Sequence, residues 1–105
     1  MENLFDLPPE LPPRELFESL VDRDRIRIER ILSTGQSTPP GQWYDQDRDE
    51  WVVLLQGNAT LSYFDGSTVT LRSGDYLLIP AHQKHRVEST SADPPCIWLA
   101  VHWVN

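Results

Sequence analysis

Residues 50–66 decide the fold: Glu50, then Trp51-Val52-Val53-Leu54-Leu55, the turn Gln56-Gly57-Asn58, the run Ala59-Thr60-Leu61-Ser62-Tyr63-Phe64, and Asp65-Gly66. Each run has the length of a strand and stops at a turn-forming pair, and neither is long enough for a helix. The same rhythm continues outward. Thr68-Val69-Thr70-Leu71 alternates polar and apolar residues, Ser73-Gly74-Asp75 turns, and Tyr76 to Ile79 is an apolar strand stopped by Pro80. His85 to Glu88 is a further short strand, Ser91-Ala92-Asp93-Pro94-Pro95 is a loop, and Ile97 to Val104 is the last strand. Towards the N-terminus, Pro39-Pro40-Gly41 is a turn. Before it, Arg25-Ile26-Arg27-Ile28-Glu29-Arg30-Ile31 alternates charged and apolar residues, the mark of a half-buried strand. Seven or eight short strands at regular spacing imply an all-β sandwich or barrel, and closure would remove exposed edges.

The first 25 residues read differently. Pro8-Pro9 and Pro12-Pro13 make an extended arm, because proline fixes φ and lacks a donor. Leu16, Phe17, Leu20 and Val21 then recur at helical spacing, with Pro13 and Glu15 suited to a first turn. The expectation is a short N-terminal arm and helix over 1–25, followed by a β-barrel over 26–105.

Composition limits the function. The chain has 105 residues, with 16 acidic against 9 basic side chains and a formal charge of −7. Phosphate contacts need clustered Lys and Arg, so nucleic acid is not an expected partner, and anionic membranes are disfavoured for the same reason. A chain this long buries about 65% of its unfolded surface, enough for one modest core. The single cysteine, Cys96, excludes an internal disulfide and has no activating neighbour in sequence. No apolar run approaches the ~18 residues of a membrane span. Met1-Glu2-Asn3-Leu4-Phe5-Asp6 lacks the basic and apolar regions of a secretory signal, so a cytoplasmic protein is expected.

Two segments carry a family resemblance. One is Glu50-x6-Gly57. The other is Gly74-Asp75-Tyr76-x3-Pro80-x4-His85. Together they resemble the two motifs of the cupins, small jelly-roll β-barrels, over about residues 26–104. The resemblance implies a fold with a central pocket for a small molecule. In metal-binding cupins, two motif histidines, the glutamate and the later histidine hold a divalent ion. Here the two histidine positions are Trp43 and Asp45, or Tyr44 and Gln46 in the alternative register, and a motif glycine is His82. Only Glu50 and His85 are retained. The ion implied (Zn, Fe, Ni or Mn) would therefore rest on a reduced site of Glu50 and His85 with Asp45, or with His82 or His102.

Strand alternation sets Glu50, Val52 and Leu54 on one face, and His85 and Val87 on one face, so Glu50 and His85 can meet inside a barrel. A lone inward carboxylate needs a cation, a hydrogen bond or a proton. His102 shares a face with Trp98 and Ala100, opposite Ile97, Leu99, Val101 and Trp103, and alternation leaves open which face is inward. Trp43 and Tyr44 are expected at the barrel mouth, to stack on a ligand or to plug the opening. The expected pocket is thus Trp43, Tyr44, Glu50, His82, His85 and His102. An enzyme would use Glu50 or His85 as acid, base or ligand. The alternatives are a metal-free binding or sensing barrel and a homodimer joined through tryptophans.

Overall fold

A computed structural model describes residues 1–104; Asn105, the end of the expected barrel segment, lies outside the described residues. Eight strands are present: β1 (Leu16–Arg23), β2 (Ile26–Ser33), β3 (Asp49–Gln56), β4 (Asn58–Tyr63), β5 (Thr68–Arg72), β6 (Tyr76–Ile79), β7 (His85–Thr90) and β8 (Cys96–Trp103). They form a five-stranded sheet, β1-β2-β8-β3-β6, and a three-stranded sheet, β5-β4-β7. Every strand pairing is antiparallel. The two sheets are not joined by a ladder, so the expected closed barrel is an open two-sheet structure. Its shared core is Val52, Leu54, Ala59, Leu61, Leu71, Ile79, Cys96, Trp98 and Ala100.

The expected helix is strand β1. It pairs with β2 from Leu16↔Leu32 to Arg23↔Ile26, and the register slips between Ser19 and Val21. Leu20 is the extra residue of this bulge. One inserted residue shifts the alternation by one, so a strand with apolar residues at 16, 17, 20 and 21 imitates helical spacing. The edge strand is held from outside as well. Arg30 Nε donates to Glu18 Oε1 at 2.6 Å, and its Nη1 donates to the Leu4 and Asp6 carbonyls at 2.9 and 2.6 Å. The proline-rich arm is thereby tied to the outer side of β2.

Register fixes which residues share a face, because directly opposed residues point the same way. One inner row across β2, β8, β3 and β6 is Arg27, His102, Glu50 and Ile79. The next is Glu29, Ala100, Val52 and Leu77. The outer rows are Ile28, Val101, Trp51 and Leu78, and Arg30, Leu99, Val53 and Tyr76.

Candidate functional site

The inner rows and the facing sheet enclose a cavity of about 470 Å³. Its apolar wall comes from Ile31, Val52, Leu61, Ile79, Val87 and Trp98. Its polar groups are Glu15, Arg27, Glu29, Tyr44, Gln46, Glu50, His85 and His102. Strand β2 carries its charge inward here: Glu29 is buried, while Ile26 on the opposite face is exposed.

Glu50 is 7% exposed and accepts one hydrogen bond, from Gln46 Nε2 at 3.1 Å. His85 is 5% exposed, and its Nδ1 lies 2.9 Å from the Gln83 carbonyl. A carbonyl only accepts, so Nδ1 donates to it, and Nε2 is the ring nitrogen left to meet a ligand. Tyr44 stacks on this imidazole, with centroids 5.5 Å apart and planes at 26°. A backbone bridge fixes the pair: Tyr44 N–H donates to the His85 carbonyl at 2.8 Å, and His85 N–H donates back at 3.1 Å. Burial, followed by the charges of Glu15 and Glu50, pushes the Tyr44 phenol above its ordinary value of 10.0.

His102 bonds through Nε2 to Glu29 Oε1 at 3.0 Å, and Arg27 Nε stands 3.9 Å from Glu29 Oε2. Glu15 is set by a relay: Trp98 Nε1 donates to Ser33 Oγ at 3.1 Å, and Ser33 Oγ donates to Glu15 Oε2 at 2.7 Å. Ser33 is fully buried, so the relay stiffens the wall where the open edge would otherwise be loose.

Of the expected pocket residues, Tyr44, Glu50, His85 and His102 line the cavity together. The inward face of β8 is the one with Trp98, Ala100 and His102, all buried. The register left open by the sequence is settled by alternation: Tyr44 and Gln46 face in. Trp43 instead packs edge-on against Phe64 with centroids 5.1 Å apart, and Arg86 lies over its ring at 5.9 Å. Asp45 and His82 also lie outside the cavity, bonded to each other through Oδ1 and Nδ1 at 2.9 Å with both side chains largely exposed. His82 occupies the motif-glycine position with φ of 64°, a left-handed conformation that favours glycine but that histidine adopts more readily than most residues.

The implied divalent ion does not fit this donor set. A phenol and an amide stand where two imidazoles are needed, and that amide already donates to Glu50. Asp45, the expected third ligand, is turned away onto His82. Among the described residues, no three His, Cys, Asp or Glu side chains are grouped to hold a metal.

Sequence reasoning missed Glu15, Arg27 and Glu29, and gave Gln46 only as a motif position in the alternative register. Arg27 and Glu29 were visible as the charged half of an alternating strand, but alternation does not say which half faces in. Glu15 was hidden by the helical reading of the segment that includes β1, which it immediately precedes.

The sequence profile of the Cupin domain family matches residues 29–102. The Uncharacterized protein YdbB of Bacillus subtilis (strain 168) is 27% identical over 90 residues, spanning 85% of this chain and 76% of that protein. The crystal structure of a candidate mannose-6-phosphate isomerase from Ralstonia eutropha JMP134 has a TM-score of 0.93 and 42% identity, covering 100% of this chain and 98% of the other. A cupin superfamily protein from Desulfitobacterium hafniense DCB-2 has the same fold, with a TM-score of 0.77 and 21% identity over 93% of this chain and 84% of the other. With the profile spanning most of the strands that build the cavity, the chain belongs to the cupin family.

Proposed function

We propose that this cupin binds a small organic molecule in the cavity between its sheets, with Glu50 and His85 as the groups that contact it. One observation carries the reading. Two buried ionisable side chains point into a half-apolar space of about 470 Å³, the size of a ligand site, instead of packing against each other's elements. The apolar wall supplies burial energy, and the polar groups supply orientation. Neither role depends on a metal. A thermal-shift screen of sugars, sugar phosphates and amines tests it. Binders should raise Tm in the native chain and lose that effect in both Glu50→Leu and His85→Leu. The absence of any binder, or binders that stabilise both variants equally, would overturn the proposal.

A second reading is acid–base isomerisation of a sugar, favoured by the 42% identity to the Ralstonia protein. Glu50 and His85 would then move the proton between adjacent carbons. Turnover of mannose 6-phosphate by the native chain but not by Glu50→Gln would establish it.

A homodimer is the third part of the proposal. It is supported by the outer face around Trp51, where Tyr76 and Leu78 are 66% and 57% exposed.

A further inference from the structure

We infer that the cavity selects a donor-rich organic cation, a protonated amine on a compact apolar body, over a phosphorylated or carboxylated ligand. The inference rests on the small-molecule role proposed above and names the ligand class for the same cavity.

Charge comes first. Glu15, Glu29 and Glu50 line the cavity, against Arg27 as its guanidinium. Arg27 is 44% exposed at the side chain and leans on Glu29, so it is screened by solvent and already partly matched. Even if His102 is protonated and pairs with Glu29 at 3.0 Å, the three carboxylates outnumber the cations of Arg27 and His102. The field is felt inside the site: burial first, and then the charges of Glu15, Glu50 and Glu29, raise the Tyr44 phenol.

The second argument concerns hydrogen bonds and is independent of net charge. Glu50 is more than nine-tenths buried, and a single neutral amide is the donor it receives. His85 is equally buried, and its Nδ1 donates to the Gln83 carbonyl, which leaves Nε2 without a partner in the protein. Both side chains belong to the cavity wall, and the Glu50 carboxylate keeps acceptor capacity that Gln46 alone does not fill. A ligand that fills it must bring donors. An ammonium brings up to three, together with the missing charge. A phosphate or carboxylate brings more acceptors and a charge of the same sign as Glu15, Glu29 and Glu50.

The experiment is calorimetric titration of the intact chain with three probes sharing one body: benzylamine, benzyl alcohol and benzyl phosphate. The amine should bind at least about tenfold more tightly than the alcohol, as expected for a charged rather than a neutral hydrogen bond, and the phosphate should bind weakest. Glu50→Gln keeps the shape of the side chain and should remove most of that amine preference. Arg27→Gln alters a half-exposed side chain, so it guards against a folding failure of the Glu50 variant. It removes the competing cation and should tighten amine binding severalfold. If alcohol or phosphate binds as tightly as the amine, the ligand class falls and the binding cavity stands. If none of the three binds, the ligand class falls as well, and the broader screen then decides whether the cavity binds anything. Unchanged or weaker amine binding by Arg27→Gln also overturns the inference.

Discussion

Gly57 closes the turn between β3 and β4, and replacing it with alanine tests the packing of the whole open end. Its φ is +97°, a left-handed value that costs an L-residue about 1 kcal/mol. An added Cβ would also lie 2.7 Å from Ser91 Oγ, 2.9 Å from Cys96 Sγ and 3.1 Å from Cys96 Cα. None of these atoms can give way cheaply. Ser91 Oγ accepts from Asn58 N–H at 3.2 Å and donates to the Pro94 carbonyl at 2.7 Å. Cys96 is fully buried, its Sγ donates to the Asn58 carbonyl at 3.2 Å, and its Cα is β8 backbone. Overpacking of this kind costs about 2 kcal/mol. Gly57→Ala should therefore lose about 3 kcal/mol in all, a fall in Tm of roughly 10–25 °C. Gly66→Ala is the internal control. Its φ is +92°, and nothing lies within 4 Å of the added Cβ, so only the backbone cost of about 1 kcal/mol applies. Equilibrium urea unfolding followed by tryptophan fluorescence would measure both. The gap of about 2 kcal/mol, roughly a thirtyfold difference in unfolding constant, is the quantity at stake. Equal losses in the two variants would refute the steric argument and leave conformation as the whole cost.

Three further predictions concern the site and the outer face. Burial and neighbouring carboxylates raise the Tyr44 phenol, so the folded chain binds that proton more tightly than the unfolded chain does. This contribution is complete below pH 10 and is lost as pH rises through the higher folded value, so Tyr44→Phe should make the alkaline fall in Tm shallower; an unchanged slope would refute it. Adding Zn, Ni, Fe or Mn should leave Tm unchanged, whereas a real site at a hundred times its Kd would add about 2.7 kcal/mol and be plain in a melting curve. For the outer face, Leu78→Lys with Tyr76→Lys should shift the light-scattering mass from dimer to monomer without lowering Tm by more than a few degrees. A native chain that is monomeric at high concentration would sink the dimer.

The strands were legible because turn chemistry and period two are local. Gly57, Gly66, Gly74 and Pro80 lie in the breaks between strands, the runs before them end within one residue of the observed strands, and β6 spans the residues the sequence predicts. Glu50 and His85 were legible for another reason, since their places in the two motifs identified them before any geometry. The error over β1 was also local in origin. A single bulged residue, Leu20, turned a strand's pattern into a helix's.

The amino-acid sequence by itself determined an all-β cupin with a retained Glu50 and His85 and no room for two motif imidazoles. Only the tertiary structure decided which face of each strand is inside. Alternation is symmetric: it groups Arg27 with Glu29 and Ile26 with Ile28, and says nothing about which group meets the core. In most strands apolar burial breaks the symmetry. In β2 it is broken the other way, because β8 presents His102 to Glu29 and because a cavity, not a packed core, lies beneath. That inversion adds Glu29 to Glu15 and Glu50 in the lining of the cavity.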